Sequence, residues 1–140
     1  MPLTPFALYR ILSYDIYIMD INRHKFHGNY KLSGYETGKI TVNNNIYKHS
    51  VVISKDHLIL DWSPQKPSEI TAASIETIVN LEPEMIILGT GKTHQFIDET
   101  LFNVAYDNNI AVELMSSSKA CMLYTILIQE QKNVIACIMP

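Results

Sequence analysis

From Tyr30 the chain alternates in polarity. Tyr30, Leu32 and Gly34 interleave with Lys31, Ser33 and Tyr35, the period-two pattern of a half-buried strand. Glu36-Thr37-Gly38 predicts a turn, and Lys39–Val42 resumes the alternation as a second strand. Asn43-Asn44-Asn45 is a strong turn signal, because asparagine tolerates the left-handed backbone conformation. Ile46 and Tyr47 then pair back across that turn. Val51–Ser54 and Leu58–Trp62 predict two further strands around Lys55-Asp56. This half reads as an antiparallel meander of short strands closed by Trp62, a core anchor.

Past residue 62 the period changes. The loop 63–70, SPQKPSEI, carries two prolines and is too short to separate domains. Thr71 is placed to cap a helix over 72–80 that turns Ile75, Ile78 and Val79 to one face. Met85–Leu88 predicts a strand buried on both faces. Asp98 can cap a helix over 99–108, stopped by Asn108-Asn109. Ala111–Met115 is a further strand. Ser116-Ser117-Ser118 offers a hydroxyl cap to a third helix over 118–131, with Ala120, Cys121, Tyr124, Leu127 and Ile128 inward. Val134–Met139 is the last strand. Strands and helices in this order predict an α/β (α+β) fold with about three helices.

Composition narrows the picture. A chain of 140 residues, 47% hydrophobic and 18% charged, can build a real core. Eleven basic residues against fourteen acidic ones, net −3, argue against nucleic acid as a partner. No apolar run reaches the roughly 20 residues that span a bilayer. Residues 1–18 lack the basic start, continuous apolar run and cleavage site of a secretory signal. They are expected to be an extension or arm outside a single domain over 19–140. His24 and His27, at i, i+3 spacing, read as part of an exposed polar lead-in. Cys121 and Cys137 form no CxxC pair, so zinc is not expected; they read as two reduced, buried thiols.

Candidate chemistry centres on Met85–Thr93, MIILGTGKT. Strand, glycine turn and helix is where α/β folds place ligands. Gly91-Lys92-Thr93 imitates the end of a phosphate loop, but the first glycine would fall at Ile86. The dinucleotide pattern fails as well, because His94 stands at its third glycine. No cofactor is implied. If the strands at 85–88 and 111–115 are parallel neighbours, the two loops following them share one side. Gly89, Thr90, Gly91 and Lys92 would then face Met115, Ser116 and Ser117, and Tyr124 of the third helix is grouped with them. Helix N–H groups and hydroxyls there suit a small anionic or polar ligand. The alternative is that the glycines only permit tight packing and the serines only cap. Glu113 is expected in a largely buried strand, either as a satisfied structural carboxylate or as an anchor at the cleft. His94 is the best-placed general base by location, against the plainer reading of a surface-loop histidine. No nucleophile elbow, carboxylate pair or Cys–His dyad is apparent.

Leu88-Gly89-Thr90-Gly91, Val112-Glu113-Leu114-Met115, Ala120-Cys121, Tyr124, Leu127, Glu130 and Val134–Pro140 follow a familiar order. Together with Tyr35, Gly38, Ile46-Tyr47, Ser50-Val51 and Trp62 they resemble the small domain named after a methanogen Mth protein. The likeness covers residues 25–140. That family includes mitochondrial complex I assembly factor 3, an adipogenesis-associated protein and short bacterial proteins. The resemblance implies a three-layer single domain, an antiparallel β meander packed beside a mixed α/β sheet, with a pocket at the glycine turn and no established enzymatic activity. It also implies protein partners, and a cytoplasmic location in bacteria or a mitochondrial one in eukaryotes. The third helix departs from the family pattern: Met122-Leu123-Tyr124-Thr125 stands where Arg-Thr-Tyr-Asn is usual, and Gln131-Lys132 replaces Gly-Arg. The expectation is a non-enzymatic binding or assembly factor of uncharacterised biochemistry. The alternative is a small metabolite-binding protein or enzyme using the same pocket. Oligomeric state is not legible.

Overall fold

The computed structural model describes residues 29–140, in which eight strands form two sheets and three α-helices pack against them. The His24/His27 pair and the 1–18 arm lie outside the described residues. The first sheet is antiparallel, in the order β1-β2-β3: β1 (Leu32–Glu36), β2 (Lys39–Val42) and β3 (Asn45–Tyr47). Its second hairpin turns at Asn43 and Asn44, with φ of 50° and 70°. Both residues adopt the left-handed conformation expected of asparagine in a two-residue hairpin.

The second sheet has five strands in the order β5-β4-β8-β6-β7. These are β4 (Val51–Ile53), β5 (Leu58–Ile59), β6 (Met85–Gly89), β7 (Ala111–Met115) and β8 (Val134–Ile138). β6 runs parallel to both β7 and β8, while β4 is antiparallel to β8. The meander therefore ends one hairpin earlier than the alternation predicts. β4 and β5 leave it: β4 pairs with the last strand of the chain, and β5 pairs with the outer side of β4. Val51, Val52 and Ile53 are all fully buried. A strand buried on both faces belongs inside a covered sheet and not in a half-exposed meander. The strand expected over 58–62 is also shorter, and Leu60 is partly exposed.

The five-stranded sheet separates two cores. On one face lie helix α1 (Ala72–Val79), helix α2 (Asn103–Asp107) and Phe102, packed on Val52, Ile86, Leu88, Ile135 and Cys137. On the other, helix α3 (Ser117–Gln129) and the meander, through Leu32, Ile40 and Val42, cover Val51, Ile53, Ile87, Ala136 and Ile138. Three layers result. Each fully buried Ile or Leu stabilises by about 1.5–3 kcal/mol, so the double-sided burial of β4, β6 and β8 dominates the fold.

The capping residues stand where the sequence places them, but Asp98 caps a 3-10 turn, Glu99–Phe102, and the α-helix expected over 99–108 is confined to α2. Thr71 accepts from the Ser74 N–H at 3.0 Å, and the Ser74 hydroxyl reciprocates on the Thr71 N–H. Asp98 accepts from Thr100 through N–H and hydroxyl, two bonds that hold its carboxyl below the usual carboxylate range. Trp62 is buried and its indole N–H donates to the Ser74 carbonyl at 3.0 Å.

Cys121 on α3 and Cys137 on β8 are free and buried, in cores on opposite faces of the sheet. Burial pushes the Cys121 thiol up to about 12 from an ordinary 9.0, and raises Cys137 as well. Neither thiol should react with an aromatic disulfide reagent at about pH 8 in the folded chain, and both should react in denaturant. Rapid labelling of the native protein would contradict this packing. The folded pKa of Cys121 lies above the unfolded one, so the unfolded chain releases that proton first, and stability should fall as pH rises from 9.0 towards about 12.

Candidate functional site

The parallel pairing of β6 with β7 and β8 brings three strand ends to one edge of the sheet. Gly89, Met115 and Ile138 stand side by side there. The structure thus brings the glycine turn and the 115–117 loop together. Ser117, the first residue of α3, is fully buried against the turn. Its hydroxyl accepts the Gly91 N–H at 2.8 Å and donates to the Met139 carbonyl at 2.6 Å. The Ser117 N–H donates to the Gly91 carbonyl at 2.8 Å, and the Met139 N–H to the Gly89 carbonyl at 2.9 Å.

Glycine is required at both positions for separate reasons. A Cβ on Gly89 would stand 2.8 Å from the Ser117 Cα, so α3 could not approach. Gly91 has φ +101°, and a Cβ there would meet the Pro140 carbonyl oxygen at 3.0 Å. Thr90 is buried between them. Its N–H donates to the Met115 carbonyl, its hydroxyl lies 2.7 Å from the Thr93 carbonyl, and that hydroxyl accepts from the Gln95 N–H at 3.1 Å. The hydroxyls of Thr90 and Ser117 are thus engaged inside the protein. Ser116 caps α3, accepting from the Lys119 N–H at 3.4 Å.

The remaining candidates are spread around this knot. Lys92 and His94 are exposed on the loop beyond Gly91. Met115 is half-buried. Glu113 is exposed, contrary to the expectation of a largely buried strand, because β7 is the edge of the sheet and its side chains alternate between core and water. Tyr124 is 1% exposed in the core beneath the meander, and its hydroxyl has no hydrogen-bond partner among the described residues. Burial raises its pKa. No group of three or more His, Cys, Asp or Glu among the described residues is placed to hold a metal ion.

Sequence reasoning missed Phe96. It is 87% exposed, on the same loop as Lys92 and His94. The only signal was an apolar pair, Phe96-Ile97, between polar residues, and the pair does not tell which member turns inward; Ile97 is the one buried.

A mixed five-stranded sheet with helices on one face and a helix and a three-stranded meander on the other defines an Mth-type domain. The chain belongs to the protein family of unknown function DUF498/DUF598, which matches residues 32–139. A Bordetella pertussis protein described as an Mth938-like domain shares the fold at a TM-score of 0.70, with 20% identity, over 79% of this chain and 85% of that one. Two named relatives are similar in sequence. One is a "13 kDa major membrane protein" of Francisella tularensis, 24% identical over 84% of this chain and 96% of that protein. The other is NADH dehydrogenase [ubiquinone] 1 alpha subcomplex assembly factor 3 of Danio rerio, 29% identical over 59% of this chain and 48% of that protein. The match thus spans about half the length of the assembly factor. No helix among the described residues is long and apolar enough to cross a membrane.

Two substitutions test the knot and the core behind it. Ser117→Ala strands a buried N–H and a buried carbonyl, so the unfolding free energy in urea should fall by about 2–4 kcal/mol. Tyr124→Phe removes a buried hydroxyl without a partner and should raise it by about 1 kcal/mol. A loss on Tyr124→Phe would show that the hydroxyl is bonded in solution.

Proposed function

We propose that this chain is a non-enzymatic binding factor that holds a protein partner during assembly, through the surface built on its glycine turn. The observation that carries this reading is Phe96, 87% exposed on a loop whose base is fixed by Thr90 and Gly91. Burying a phenylalanine side chain is worth about 1.5–3 kcal/mol, and phenylalanine is among the residues enriched in protein interfaces. Lys92 and His94, exposed on the same loop, can offer a partner polar contacts. Gly89, Thr90, Gly91, Met115, Ser116 and Ser117 form its base, with Glu113 on the neighbouring edge strand. A relative named as an assembly factor supports the reading. The engagement of the Thr90 and Ser117 hydroxyls with backbone groups favours a partner surface over a small-ligand pocket in the same place.

Phe96→Ser is a better probe than a change at Gly91, whose positive φ makes any side chain there strained. Tagged wild type and Phe96→Ser should be compared in native extract, with thermal unfolding as the check of folding. The expected result is a partner identified by mass spectrometry that is retained by wild type and reduced about tenfold in a variant of unchanged stability. Equal capture by both forms, or a small molecule released only from wild type, would overturn the proposal.

A further inference from the structure

At the far end of the sheet from the glycine turn, a cleft of about 480 Å³ opens between the β4–β5 turn and the loop joining α3 to β8. That lies within the roughly 300–1,000 Å³ of ordinary small-molecule sites. Its floor is apolar, with Leu81 and Ile128. Its rim carries Lys55 and His57 from one wall and Lys132 from the other, against the single carboxylate of Asp56. Among the residues that line the cleft, the two lysines outnumber the one carboxylate.

Both walls are held before any ligand arrives. In the turn, the Ser54 N–H donates to the His57 carbonyl at 2.9 Å and the His57 N–H to the Ser54 hydroxyl at 3.1 Å. The same hydroxyl lies 3.2 Å from His57 Nδ1, which orients the ring and leaves Nε2 as its second polar atom. The Asp56 carboxylate accepts from the Asn29 amide at 3.3 Å. In the opposite loop, Gln131 takes φ 61° and its N–H, with that of Lys132, closes the end of α3 on the Ile128 and Leu127 carbonyls at 2.9 Å each. Asn133 ties this loop to the Glu82 carbonyl at 3.0 Å. Preformed walls lower the ordering cost of binding.

We propose that this cleft binds a small phosphate monoester, its dianionic head between Lys55 and Lys132 and its short apolar body over Leu81 and Ile128. Two ammonium groups match a dianionic head better than a singly charged one, and with His57 Nδ1 accepting from the Ser54 hydroxyl, Nε2 is free to donate as well. The cleft and the Phe96 loop lie at opposite ends of the sheet, so either proposal can fail without the other.

The test is a two-dimensional amide NMR titration with hexyl phosphate, using 1-hexanol as the uncharged control. Saturable shifts are expected at residues 54–57 and 131–134, with half-saturation raised about tenfold in the Lys55→Gln/Lys132→Gln double variant. Both lysines are exposed, so that variant should fold. No saturable shift, equal shifts around Lys92 and Lys119, or an unchanged midpoint in the double variant would each overturn the proposal. Phosphatidylcholine vesicles with and without phosphatidic acid distinguish the source of the phosphate. Lysine-dependent sedimentation with phosphatidic acid assigns a lipid headgroup, and binding of hexyl phosphate alone assigns a free ligand.

Discussion

One buried hydroxyl organises the end of the sheet on which the candidate surface stands. Ser117 Oγ accepts from the Gly91 N–H and donates to the Met139 carbonyl, joining the turn after β6, the start of α3 and the end of β8. A hydroxyl can do this because it both donates and accepts. The bridge is possible only because Gly89 has no Cβ, which lets α3 begin 2.8 Å from where that atom would stand. Everything that projects from this edge, including the loop carrying Lys92, His94 and Phe96, is referred to that contact. Of the polar side chains gathered at this end, Ser117 builds the bridge, Thr90 bonds within its own loop and Ser116 caps α3.

Around that edge the fold rests on the central strands. β8 sits between β4 and β6 and is buried along its whole length. Val134, Ala136 and Ile138 face α3 and the meander, while Ile135, Cys137 and Met139 face α1 and α2. The two cores are built back to back on one strand, which is why the cysteines cannot meet. The outermost strand, β7, has no neighbour beyond it, and Glu113 lies on its solvent side. An exposed charge on an edge strand discourages pairing with another chain. The residue is then as well explained by that role as by chemistry.

The candidate surfaces were unequally legible. The glycine turn and the Ser116-Ser117-Ser118 cap stand out in the sequence because only a few residue types meet those backbone requirements. Phe96 and the rim of Lys55, His57 and Lys132 do not stand out. An aromatic in a polar loop has no periodicity to tell whether it turns inward. Residues 55, 57 and 132 are brought together only by the antiparallel pairing of β4 with β8. Whether a hydroxyl faces a ligand or a carbonyl is likewise decided by what packs over it.

By itself the sequence determined the local structure: the two asparagines that turn the second hairpin, the Thr71, Asp98 and Ser116 caps, the three helices and the strands that alternate with them. Those features depend on residues within a few positions of one another, so pattern and propensity suffice. It also determined the family, through motifs whose order survives wide divergence. Tertiary structure alone decided that β4 and β5 leave the meander and that β4 pairs with β8, that β7 is an edge and Glu113 exposed, and that Ser117 serves the backbone. Each depends on contacts between residues far apart in the chain, where burial on both faces of a shared sheet outweighs local pairing.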